Sequence, residues 1–175
     1  TQQENKEFEN VYKDGTFSNE GNIRSVNNYV LDDYKGLKNL KKFFEKAVNN
    51  FMLDVYHPTN EIEFFITQSW MNWAEKDMWH NRHLHPNSYL SGVFYISCIE
   101  EDKLCFYNAM GNNMLHALME INKEDFNIFN SSKMTFDIKA FDLILFPSFM
   151  VHEVELNPTD TTRISLAFNT WVKGT

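Results

Sequence analysis

Residues 80–95, HNRHLHPNSYLSGVFY, decide how the chain is read. In an extended strand successive side chains alternate faces, so His83, His85, Asn87, Tyr89, Ser91, Val93 and Tyr95 share one side as long as no bulge intervenes. That side is polar and aromatic. The opposite side carries Leu84, Leu90, Phe94 and Ile96, which suits a strand packed on a second layer. Two imidazoles at i and i+2 of one strand point the same way and are able to chelate one metal ion without distorting the backbone. A third ligand has to come from elsewhere.

The second half of the pattern lies at residues 141–171, FDLILFPSFMVHEVELNPTDTTRISLAFNTW. Asp142 to Phe146 is β-rich, Pro147 and Ser148 mark a turn, and His152 sits on a second short β-rich run. Eleven residues after His152 comes Arg163, at the head of an alternating strand in which Arg163, Ser165, Ala167, Asn169 and Trp171 share a face. An arginine aimed into the interior of an otherwise apolar strand is costly unless it meets an anion. The pattern is a metal site with a carboxylate clamp beside it.

These segments, HLHPNSYLSGVFYI, DLILFPSFMVHEVELN and RISLAFN, resemble the ferrous iron and 2-oxoglutarate dependent oxygenases, in particular a small phage-type and bacterial branch related to prolyl hydroxylases. The resemblance covers residues 62–171. Its order is more specific than any single piece: paired ligands, one distal histidine, then an arginine. It implies His83, His85 and His152 as metal ligands, Arg163 and Ser165 as the binders of the distal carboxylate of 2-oxoglutarate, and Tyr95 as a further donor to that carboxylate. It departs from the family at His85, where most relatives carry Asp or Glu and complete a 2-His-1-carboxylate triad. It also implies Fe(II), 2-oxoglutarate and O2 as reactants, with ascorbate in support, and succinate and CO2 as products. A peptide side chain or a small molecule is the expected substrate. Iron binding by histidine is expected to weaken below about pH 6.5.

The remaining sequence sets bounds. A chain of 175 residues is long enough for one domain with a substantial core, so residues 1–175 are expected to form a single oxygenase domain. Aromatic residues make up 15% of it and the formal charge is −8, which disfavours nucleic acid as a partner. No run of about 18 apolar residues suggests a membrane span, and the N-terminus has neither the charged start nor the apolar core of a signal peptide, so a cytoplasmic location is expected. Cys98 and Cys105 form no CxxC pair and are read as free thiols.

The expected architecture is mainly β, a double-stranded β-helix or jelly roll over residues 61–173, with at least one N-terminal helix packed on it. Residues 1–25 are polar and read as an irregular arm or edge strand. Leu37, Leu40, Phe43, Phe44, Ala47, Val48 and Phe51 fit a 3.6-residue period, so residues 35–53 are expected to be an amphipathic core-facing helix. Glu61 to Trp73 reads as a strand leading into the site, with Gln68, Trp70 and Asn72 on one face. Asn72 is therefore a candidate to reach the metal chamber or the substrate. Residues 110–129 read as a variable loop near the opening.

Two rivals fit parts of the pattern. A cupin-type enzyme using three histidines without 2-oxoglutarate would also use HxH, but the Glu expected a few residues later is absent and Arg163 has no task in it. The second rival is a non-catalytic binding or structural jelly roll, and Arg163 on its own also fits a strand-end salt bridge, for example to Glu153 or Asp160. His80 is an alternative ligand or a loop residue over the substrate, and His57 and His116 have no partners in the pattern.

Overall fold

The structure is a computed structural model that describes residues 1–108, 122, 124–127 and 130–174. Their strands form two antiparallel sheets, built from β1 (Thr16–Asn19), β2 (Asn22–Ser25), β3 (Ile62–Ala74), β4 (His80–His83), β5 (Leu90–Ser97), β6 (Lys103–Tyr107), β7 (Lys133–Asp137), β8 (Leu143–Pro147), β9 (Val151–Val154) and β10 (Arg163–Gly174). The larger sheet runs β1-β2-β3-β10-β5-β8 and the smaller β4-β9-β6-β7. From β3 onward the strands alternate between the two layers except at β6 and β7, which are paired neighbours in the smaller sheet, a jelly-roll arrangement. The loop expected over residues 110–129, with His116, lies largely outside the described residues.

The amphipathic stretch forms a short 3-10 turn, Lys35–Leu37, that runs into the helix α3, Lys38–Tyr56. Phe44, Val48 and Met52 of α3 are buried against Phe64, Ile66, Met71, Leu166 and Phe168 on the outer face of the larger sheet. Phe44 stacks on Phe168 with centroids 5.1 Å apart. Gly92 makes that possible: a Cβ there would lie 2.2 Å from the Phe168 ring. A bulge sets the other face. Between Asn169 and Thr170 the partner on β3 jumps from Gln68 to Ile66, so Thr67 is the extra residue. The chain can then bury Phe64 and Ile66 on the same side as Met71 and Trp73 despite their opposite parity.

The N-terminal expectation is met only in part: residues 16–25 lie at a sheet edge, but the residues before them are helical. Residues 2–14 form the helix α1, Gln2–Asp14, and β1 and β2 make a hairpin that extends the larger sheet. A capping box starts α1: the Thr1 hydroxyl accepts from the Glu4 N–H and the Glu4 carboxylate returns to the Thr1 amine. Val11 is its one buried residue, which explains why no apolar stripe marks it in the sequence. A four-residue helix α2, Val30–Asp33, follows the hairpin and buries Val30 and Leu31.

Candidate metal centre

The histidine pair does not lie on one continuous strand. His83 ends β4 in the smaller sheet, and the chain then turns through Pro86 and Asn87, whose φ of 57° is left-handed, before entering the larger sheet as β5. The unbroken alternation expected from residue 83 to 95 therefore fails at this turn, and Leu84 and Tyr89 are exposed. His85 sits in the turn, held by its N–H donating to the Ser148 carbonyl at 3.0 Å. His83 pairs directly with His152 of β9. One ring nitrogen from each of His83, His85 and His152 lies within 4.8 Å of the other two.

Hydrogen bonding fixes the tautomer of all three rings. Nδ1 of His83 donates to the Asn81 carbonyl at 2.7 Å, Nδ1 of His152 to the Met150 carbonyl at 2.9 Å, and Nδ1 of His85 to the Asn169 side-chain oxygen at 2.7 Å. Each Nε2 is left as a bare lone pair, and those of His85 and His152 face each other at 3.3 Å. Two facing lone pairs repel unless a cation lies between them. Nitrogens bound at about 2.1 Å to one ion and at right angles to each other lie about 3.0 Å apart, close to what is seen. Asn169 is itself anchored, accepting from Ser91 Oγ at 2.9 Å, while Ser91 bonds Ser148 at 2.8 Å. Such outer partners fix the orientation of metal ligands. The parity of β10 places Asn169 on the site face, but only the structure gives it this task.

Burial lowers the pKa of each histidine. It is the largest cause for His85, brought to about 4, and for His152, brought to about 3, with the neighbouring His83 imidazole adding to both. His83 is lowered by burial, partly opposed by the Asn81 carbonyl, with Arg24 lowering it further. The rings are thus neutral and metal-competent in mildly acidic solution, so the loss of binding expected below pH 6.5 moves to lower pH. His80 stacks on His83 with centroids 4.4 Å apart and lines the cavity, half-buried rather than out in a loop.

Behind the histidines a cavity runs between the sheets, lined by Asn72, Tyr95, Val154, Arg163, Ser165 and Ala167 among others. Asn72, Ser165 and Tyr95 stand side by side on β3, β10 and β5, since Ser165 pairs with both neighbours. The Tyr95 hydroxyl and the Asn72 side-chain oxygen are buried without a hydrogen-bond partner. A buried hydroxyl of this kind costs about 1–3 kcal/mol and marks a place for a ligand. Arg163 reaches the cavity, yet its partner is neither Glu153 nor Asp160: it forms a buried ion pair with Asp102, and Nη2 donates to the Glu155 carbonyl at 2.9 Å. These bonds use two of its five N–H groups. Glu153 points away from the histidines and accepts from the Tyr107 hydroxyl on the outer face, and both cysteines are free. No helix among the described residues is long and apolar enough to cross a membrane.

Comparison with known proteins agrees with this geometry. A family model described as a putative 2OG-Fe(II) oxygenase matches residues 68–169. Among solved structures, an oxidoreductase of the 2OG-Fe(II) oxygenase family from Burkholderia pseudomallei superposes with a TM-score of 0.59 at 15% identity, covering 89% of this chain and 71% of that one. HygX from Streptomyces hygroscopicus, solved with nickel, 2-oxoglutarate and hygromycin B, gives 0.57 at 13% identity, covering 94% and 77%. A prolyl-4-hydroxylase from Pseudomonas putida gives 0.56 at 11% identity, covering 93% and 82%. A search of curated protein sequences finds no match. At these identities the superpositions establish the jelly-roll fold, and the family model, which spans more than half of the chain, establishes that it belongs to the 2-oxoglutarate-dependent non-haem iron oxygenases.

Proposed function

We propose that this chain oxidises a small-molecule or peptide substrate at a ferrous ion held by the Nε2 atoms of His83, His85 and His152, with 2-oxoglutarate as cosubstrate. The observation that carries the proposal is the set of three outward Nδ1 hydrogen bonds, which leaves three neutral nitrogens converging on one point. Bound there with 2-oxoglutarate and O2, the ion supplies oxidative decarboxylation to succinate and CO2 coupled to oxidation of the substrate, and ascorbate serves to keep it ferrous. His85 stands where a carboxylate is common in such triads, so the ligand set here is neutral.

The protein's own share is positioning. Arg163 is held in orientation by Asp102 and the Glu155 carbonyl and offers its remaining N–H groups to the distal carboxylate of 2-oxoglutarate. The Tyr95 hydroxyl and Ser165 complete that cradle, and Asn72 borders it from β3. Apolar Val93, Leu104, Phe146 and Val154 line the rest of the cavity and keep water from it.

Succinate release from 2-oxoglutarate under iron, ascorbate and air tests the proposal. We expect turnover even without added substrate. Arg163→Lys keeps a cation against Asp102 but loses the fork, and the KM for 2-oxoglutarate should rise about 10–100-fold. A second possibility, a three-histidine metalloenzyme that does not use 2-oxoglutarate, draws on the ion pair between Arg163 and Asp102, which gives the guanidinium a partner of its own. Metal-loaded protein that ignores 2-oxoglutarate would favour it.

A further inference from the structure

The chain contains three arginines. Arg82 lies 3.6 Å from Glu153 on the outer surface, and Arg163 is paired with Asp102. Arg24 has no acidic partner among the described residues. It sits on β2 opposite Asn72, and its guanidinium carbon lies 4.6 Å from the centroid of Trp70. The other neighbour of Trp70 is His85, stacked at 5.6 Å. The one arginine without an acidic partner among the described residues is therefore one ring away from a metal ligand.

We propose that Arg24 is the substrate-recognition residue of this centre and that the substrate carries a carboxylate, which Arg24 binds at the mouth of the site. The proposal rests on the oxygenase assignment above. Three observations lead to it. Nε of Arg24 is buried without a partner, while Nη2 donates to the Asn28 side-chain oxygen at 2.6 Å, so one edge of the fork is fixed and a donor on it is unused. The groove that Arg24 lines borders His83 and His85, two of the three ligands, and extends past Thr67, Gln68 and Trp171. Among the described residues no Asp or Glu lines that groove, in a chain that has 24 of them.

Charge balance explains why an arginine is tolerated there. A dication with three neutral ligands is balanced by dianionic 2-oxoglutarate, without the extra negative charge that a carboxylate ligand would add. A guanidinium beside that centre repels the metal unless an anion joins it. Trp70 supports the face of the guanidinium, leaving its free N–H groups to donate to the oxygens of a carboxylate. A single fork, with no lysine among the described residues that line the groove, matches a carboxylate better than a phosphate dianion.

The test uses Zn(II)-loaded full-length protein, which is diamagnetic, labelled with 15N-arginine so that only three side-chain Nε–H signals appear. Arg24→Lys removes one signal and assigns it; if that variant does not fold, Arg82→Lys and Arg163→Lys assign the other two signals and leave that of Arg24 by elimination. With 2-oxoglutarate saturating, propionate should move the Arg24 signal saturably with a Kd on the order of millimolar. Propionamide, of the same shape without the charge, should bind at least about tenfold more weakly. An Arg24 signal that is unmoved by propionate, or moved equally by propionamide, overturns the proposal. If 2-oxoglutarate itself moves Arg24 and leaves Arg163 unmoved, Arg24 belongs to the cosubstrate and the proposal also falls. If 2-oxoglutarate moves neither signal while propionate moves Arg24, the oxygenase assignment is what fails, and anion recognition by Arg24 stands.

Discussion

On the helix side of the larger sheet, Phe64, Ile66, Met71, Leu166 and Phe168 meet Phe44, Val48 and Met52 in one apolar cluster, beside which the buried Ser69 hydroxyl accepts from the Leu31 N–H. On the other side the same strands present Asn72, Ser91, Arg163, Ser165 and Asn169, and the apolar cluster between the sheets is confined to Tyr95, Leu104, Phe106, Ile138, Phe146 and Val154. Adjacent residues of one strand, such as Phe168 and Asn169, thus belong to different regimes. Full burial of one large apolar side chain contributes about 1.5–3 kcal/mol, whereas a buried polar group contributes only when its partners are complete. The fold is held mainly from outside the barrel, and this frees the inside to keep polar atoms ready for ligands.

The largest expected effect that could break this contrast is at Phe44. Phe44→Ala should lower the unfolding free energy by about 3–5 kcal/mol in urea melts. Metal stoichiometry of the folded fraction should stay the same, and a loss of metal at equal folded fraction would show that the two faces are coupled. Next comes Asn169→Ala, which frees the His85 ring. Iron affinity should fall about 10–100-fold with stability less affected than by Phe44→Ala. An unchanged affinity would mean that packing against Trp70 alone orients the ring.

The smallest effect is with pH. In the metal-free protein His85 and His152 have values pushed to about 4 and about 3, below their ordinary value, so the unfolded chain takes up protons first as the pH falls. Stability should decline from about pH 6.5 downward and level off once the folded-state values are passed. Melting curves at pH 7 and pH 5 should show this, and the decline should be smaller in a His85→Gln, His152→Gln double variant. An equal decline in both proteins would assign the acid sensitivity to the carboxylates instead.

Local periodicity made α3 and the strands β8 to β10 readable, because Leu37 to Phe51 repeats at helical spacing and Arg163 to Trp171 alternates. Strand parity alone also puts Asn72, Trp70 and Ser165 on the cavity side, where the structure has them. What escaped was non-local or polar. The α1 helix buries only Val11, and its capping box was the one signal that could have found it. Asp102 meets Arg163 across 61 residues, which no local pattern encodes. The turn at Pro86 and Asn87 broke the strand assumed to carry His83 and His85 together, yet the two rings still converge because Ser148 and Asn169 hold His85 from the opposite sheet.

That broken strand means the ligands belong to different layers. His83 and His152 ride on the smaller sheet, while His85 is tied through Asn169 to β10 of the larger one. A single ion taken up by all three would act as a rivet through both leaves of the barrel, so loading should slow proteolytic nicking of the loops that join them, and chelation should let the leaves part before the helix-backed side unravels.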